Sequence, residues 1–211
     1  MHVVELRQYT LREGMRETLI DLFDRHFIEG QEACGMTVLG QFRDLDRPDR
    51  FVWLRGFADM AARRDALERF YGGPVWAEHK DAANATMIDW HDVLLLKPAW
   101  EGSGVKVDRA VRAPVEASRG AEVTIAIWPV QAERMPEFAG GFRSAFPDAM
   151  GAFVTESAET TYPALPVRAG EGVFVVAFDG TSIIDDLGTV GMAPAQTLRL
   201  APTARSRLRG A

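Results

Sequence analysis

YGGPVWAEHKDAANATM, Tyr71 to Met87, decides how the first hundred residues of this chain fold. Just upstream, Asp59 is placed to cap a helix through MAARRDALERF, with Ala62, Ala66, Leu67 and Phe70 on its inner face. Gly72 and Gly73 end that helix. Pro74 then starts another, because the first helical turn needs no amide partner and the ring already holds a helical φ. VWAEHKDAANATM fills this second helix and its exit, and DVLLLKPA leaves it as an apolar strand.

Outward from that stretch the period changes. Val3–Leu11 alternates as a strand with one face buried, and after Gly14 the run MRETLIDLFDRHFI sets Met15, Leu19, Leu22, Phe23, His26 and Phe27 on one helical stripe. MTVLGQFRD and FVWLRGF are two strands joined by the turn DLDRPDR. The order strand, helix, strand, strand, helix, helix, strand is the split plan of a ferredoxin-like unit. A looser copy follows in GAEVTIAIWPV, a helix over Gln131 to Phe146 interrupted at Pro136, then MGAFVTES, GVFVVAF and TLRLA. Before TLRLA the run DGTSIIDDLGTVGMAPAQ has room for one short helix and nothing equivalent to YGGPVWAEHK.

The expected class is therefore α+β, in tandem ferredoxin-like halves: residues 1–100, a Gly- and Pro-bearing linker over 101–120, and a degenerate half over 121–211. Each half alone would leave a bare apolar sheet face. Burying the two faces against each other makes a fused pseudo-dimer, and whole chains could pair further as a homo-oligomer.

Composition narrows the function. With 211 residues, a formal charge of −6 and arginines interspersed with acids, including Arg63 and Arg64, no basic face for nucleic acid is marked. The lone Cys34 rules out an intrachain disulfide and a thiolate metal cluster. No apolar run is long enough to cross a membrane and MHVVELRQYT lacks the form of a signal peptide, so a cytoplasmic location is expected. HExxH, P-loop and G-x-S-x-G patterns are absent.

VVELRQYTLREG, GMTVLGQFRD, DRFVWLRGF, YGGPVWAEHKDAANATM and DVLLLKP together resemble the NIPSNAP family, densely over residues 3–99 and only in topology over 120–202. The resemblance implies the dimeric α+β barrel shared with antibiotic-biosynthesis-type monooxygenases. It implies no particular reaction.

Candidate chemistry gathers in the first half. His79 shares a helix face with Trp76 and Ala83, so it is a candidate for proton transfer or else a satisfied core histidine. His26, on the apolar stripe, is the second candidate acid–base group, with the same alternative. Tyr9, Trp53 and Arg55 come from strands. Arg55 shares a face with Phe51, Trp53 and Phe57 and is read either as an anion clamp in the barrel interior or as a partner of Glu5. Tyr71, Trp76 and Asn84 could orient a small ligand, although Asn84 equally suits a helix end. No metal site is expected and no cofactor is required, with haem the alternative. Two readings stay open: a cofactor-free enzyme moving a proton on, or oxygenating, a small apolar or aromatic molecule, and a non-catalytic binding or structural module of the same fold.

Overall fold

The computed structural model describes residues 1–107, 112–114, 120–180 and 191–211. Eight antiparallel strands close into one barrel: β1 (Val3–Leu11), β2 (Thr37–Asp44), β3 (Arg50–Phe57), β4 (Met87–Pro98), β5 (Val123–Pro129), β6 (Gly151–Thr155), β7 (Val173–Asp179) and β8 (Gln196–Pro202). Around the barrel the order is β1-β3-β2-β8-β5-β7-β6-β4. The first four strands thus run β4-β1-β3-β2, the last four β8-β5-β7-β6, and the seams are β2 with β8 and β4 with β6. A closed barrel leaves no sheet edge to solvent.

Strand parity separates two environments. Val4, Leu6, Val52, Leu54, Leu94 and Leu96 point inward and meet Val123, Ile125, Val175 and Leu198 from the later strands. The interior is a packed core, aliphatic apart from Phe42 and Phe153, and each such side chain taken out of water contributes roughly 1.5–3 kcal/mol. The opposite faces carry helices. α1 (Arg16–Leu22), a π-helical turn (Phe23–Phe27), α2 (Ile28–Ala33), α3 (Met60–Tyr71) and α4 (Pro74–Thr86) cover the first sheet, and α5 (Met135–Ala145) covers the second.

Several expectations are corrected here. Phe51, Trp53, Arg55 and Phe57 face the helices, not the barrel interior. A buried charge such as that of Arg55 needs the sheet–helix layer, where Gln31 and Tyr71 return polar partners. The stripe ending in His26 is rotated by the π turn, in which the Ile28 amide donates to the Phe23 carbonyl. That wider turn buries Phe23, Asp24 and Phe27 and turns His26 to solvent. In α3, Arg63 rather than Ala62 is fully buried, so Arg63 is no surface charge. Pro136 lies in the first turn of α5 and starts that helix instead of interrupting it. The Asp59 cap on Ala62 N (2.8 Å) and the Pro74 start are as the residues dictate. The short helix expected within 179–196 falls largely on 181–190, outside the described residues.

Two segments tie the barrel shut. In the linker, Val105 joins the barrel core and Ser103 Oγ donates to Ala152 O at 2.8 Å. After β8 the tail folds back, with the Leu208 amide donating to Leu39 O at 2.8 Å and its side chain entering the same core.

Candidate functional site

Between the first sheet and its helices lies a fully buried charge cluster. Glu5 and Arg55 are paired across β1 and β3. Glu5 Oε2 accepts from Arg55 Nε (2.7 Å) and Arg7 Nη1 (2.8 Å), and Oε1 accepts from Arg63 Nε (2.7 Å). All four side chains have no solvent exposure. Burial pushes the Glu5 carboxyl up, but Arg55, Arg7 and Arg63 outweigh it and hold the group well below the carboxylate range. Three guanidiniums face this single carboxylate, so the cluster carries an excess of positive charge. Among the described residues the Nη2 atoms of Arg7, Arg55 and Arg63 have no partner.

That positive charge continues through two phenols. Arg7 Nε donates to Tyr9 Oη at 3.0 Å, and Arg55 Nη1 donates to Tyr71 Oη at 3.4 Å and Gln31 Oε1 at 3.1 Å. Arg55 also lies over the Trp53 ring, 5.0 Å from its centroid. Tyr9, Tyr71, Gln31 and Trp53 then form the polar side of a cavity of about 40 Å³, closed elsewhere by Phe23, Phe27, Phe70, Trp76 and Met87. A hydroxyl that accepts from a cation keeps its own hydrogen to donate. Burial raises the Tyr9 pKa, which keeps that hydrogen in place.

The later half contributes to this site. Its β6–β7 connector, residues 156–172, crosses onto the helix side of the first sheet. Glu156 N donates to Leu95 O (2.8 Å), Arg168 N to Val93 O (2.8 Å) and Thr161 Oγ1 to Met60 O (3.0 Å). Thr160 Oγ1 accepts from Arg63 Nη1 at 3.3 Å, and the Tyr162 ring stacks on Tyr71 at 6.1 Å. Under α5, in contrast, Trp128, Phe138, Phe142 and Phe174 fill the corresponding layer with packed rings.

Of the residues singled out from sequence, Tyr9, Trp53, Tyr71 and Trp76 line the cavity and Arg55 supports it from behind. Asn84 is exposed on α4 and reaches none of them. His26 and His79 meet each other, ring centroids 3.9 Å apart, but neither lines the cavity; His79 packs against the outer side of Phe27 at 6.2 Å. Sequence reasoning missed Arg63, Gln31 and Asp24. Arg63 falls at the 63, 66, 67, 70 spacing of the inner face of α3, which was a usable signal. Among the described residues no group of three or more His, Cys, Asp or Glu converges as a metal site would require, and no helix is long and apolar enough to cross a membrane.

The NIPSNAP family model matches residues 4–100. Over those residues the chain is similar to the NIPSNAP family. The matched portion thus holds the charge cluster and the cavity, while the strap over it comes from outside the match. Among solved structures, a candidate monooxygenase from Fusobacterium nucleatum aligns with TM-score 0.60 at 9% identity, over 99% of this chain and 95% of that one. Another from Lactobacillus acidophilus aligns with TM-score 0.56 at 12% identity, over 99% and 97%. A NIPSNAP family protein from Agrobacterium tumefaciens, 18% identical, covers 50% of this chain and 100% of its own, with TM-score 0.46. At these identities the full-length likeness is one of fold. No curated protein matches the sequence.

Proposed function

We propose that this protein is a cofactor-free enzyme acting on a small aromatic or conjugated molecule, with the Tyr9–Tyr71 cavity as its reaction site. The observation that carries the reading is the pair of phenols, each accepting from a buried guanidinium and each facing the cavity. Two such donors suit an oxygen that gains negative charge, as an enolate or phenolate does, in a site walled by aromatic rings. Oxygenation is the favoured reaction class, a choice supported by the two full-length candidate monooxygenases of the same fold. A stabilised carbanion that keeps one C–H adds dioxygen, the resulting peroxide anion takes back the abstracted proton, and the hydroperoxide loses that C–H hydrogen and its outer oxygen as water to leave a carbonyl.

At about 40 Å³ the cavity admits water or dioxygen, and a bicyclic substrate enters only when Tyr71 or Trp76, both half-buried at its rim, swings aside. No haem is invoked, since neither imidazole lines this small space. The same small volume favours a second reading, a solid core in a structural module. We further infer that residues 1–100 and 121–211 are ferredoxin-like halves joined by 101–120 as a pseudo-dimer, an inference supported by the matching strand orders.

The test uses 2-naphthol, whose neutral and ionised forms emit at different wavelengths. Bound to the wild type it should ionise at lower pH than in water, and Tyr71→Phe should remove most of that shift while leaving the fold intact. Absence of binding, or an unchanged ionisation in both proteins, would favour the structural module.

A further inference from the structure

We propose that Asp24 is the proton acceptor serving the aromatic cavity, acting through buried water held between its carboxyl, Gln41, Thr203 and the Trp53 indole N–H. The proposal rests on reading that cavity as the reaction site and supplies the base that His26 and His79, standing outside it, do not.

Asp24 sits in the π turn between Phe23 and Phe27, two walls of the cavity. It is 3% exposed, and its Oδ1 has no partner among the described residues. Gln41 and Thr203 are fully buried; among the described residues both side-chain polar atoms of Gln41 are equally unpartnered, as is Trp53 Nε1. These groups are neighbours. Gln41 stands opposite Trp53 in the β2–β3 register, and the Thr203 amide donates to Gln41 O at 2.8 Å. The Phe23 ring packs on Trp53 at 4.8 Å, and the Thr203 hydroxyl lies beside the Asp24 carboxyl.

Buried polar atoms without partners are rare and costly, and four in one region would consume much of a domain's net stability if left dry. They include both donors (Trp53 N–H, Gln41 NH₂) and acceptors (Gln41 Oε1, Asp24 Oδ1). That mixture suits water better than an ion. The cations facing Asp24 each bind another acceptor, although Arg43 Nη1 and Arg112 Nε have no partner among the described residues. Arg205 from the tail binds the Asp24 backbone carbonyl and Glu29, Arg43 from β2 binds Glu17, and Arg112 binds Glu32. Burial therefore prevails, and it pushes the Asp24 carboxyl up to about 6 despite Arg205, Thr203, Arg43 and Arg112. A carboxylate in that range accepts a proton near neutral pH. The substrate C–H or O–H bond breaks, water takes that proton while passing one of its own to Asp24, and the charge left on the substrate oxygen meets Tyr9 and Tyr71.

The test is NMR of the ligand-free, indole-¹⁵N-labelled protein from pH 4.5 to 8, with Trp53 assigned through Trp53→Phe. The expected result is a Trp53 N–H cross-peak to water and a shift that titrates near pH 6. The titration disappears in Asp24→Asn and persists in a His26→Gln/His79→Gln double variant. A flat resonance in the wild type, an unchanged titration in Asp24→Asn, or no water cross-peak would overturn the proposal. No ligand enters the measurement, so failure of naphthol binding would count against the cavity and not against this proton site.

Discussion

Glu5 and Asp24 are buried carboxyls with opposite consequences. Replacing Glu5 by Gln leaves Arg7, Arg55 and Arg63 facing a neutral amide, and breaking a buried pair of this kind costs about 3–5 kcal/mol. Urea unfolding at pH 7 measures it; a loss below about 1 kcal/mol would mean the cluster is not formed. Because the folded-state pKa of Glu5 is depressed, its stabilisation is present above the ordinary carboxylate range and fades as pH falls through the folded value. Asp24, raised from 3.8 to about 6, acts in reverse: its ionisation weakens the fold as pH climbs through 6, by up to about 3 kcal/mol. Stability should therefore rise from pH 7 to 5 before falling in acid, and in Asp24→Asn the rise should vanish. Unfolding midpoints at pH 5, 6, 7 and 8 decide it. His79→Ala, on a half-buried ring outside the cavity, should cost under about 1 kcal/mol by the same assay. At this scale the aromatic residues were legible in the sequence, since Tyr9, Trp53, Tyr71 and Trp76 announce burial by type. The charges were not, because Arg63 and its exposed neighbour Arg64 are the same letter and only their helical phase separates them.

The strands, the two glycines and Pro74 were readable because each has a local cause. The π turn has none: FDRHF contains no residue that forces an i to i+5 bond, and only packing against the sheet selects it. That is why His26 was placed on the wrong face and Asp24 went unnoticed. The strap was equally invisible, since residues 156–172 lack a period and owe their course to bonds with β4 and α3. Its Tyr162 leans on Tyr71 at the rim of the cavity. Tyr162→Ala should speed stopped-flow association of 2-naphthol several-fold with a stability loss of about 1 kcal/mol; an unchanged association rate would show that entry lies elsewhere.

For the whole molecule, the repeated strand order predicted that two sheets would share one core, and residues from both ends of the chain do fill the barrel. Which face of β3 looked inward was not decidable, because alternation gives two faces without saying which is covered by what. Residues 1–100 made alone would expose the aliphatic interior face and leave β2 and β4 unpaired at their outer edges. Light scattering should find them dimeric or aggregated, and a stable monomer would contradict the pseudo-dimer. The late closure of the β2 seam has a consequence during biosynthesis. β2 waits for β8, and β4 for β6, so a completed first sheet emerges from the ribosome with its future interior uncovered. At roughly 5–20 residues per second, synthesis of the stretch from Pro98 to Pro202 leaves that surface open for roughly 5–20 s. Neighbouring ribosomes on one message then present identical half-barrels to each other, and the intramolecular seam must compete with pairing between nascent chains.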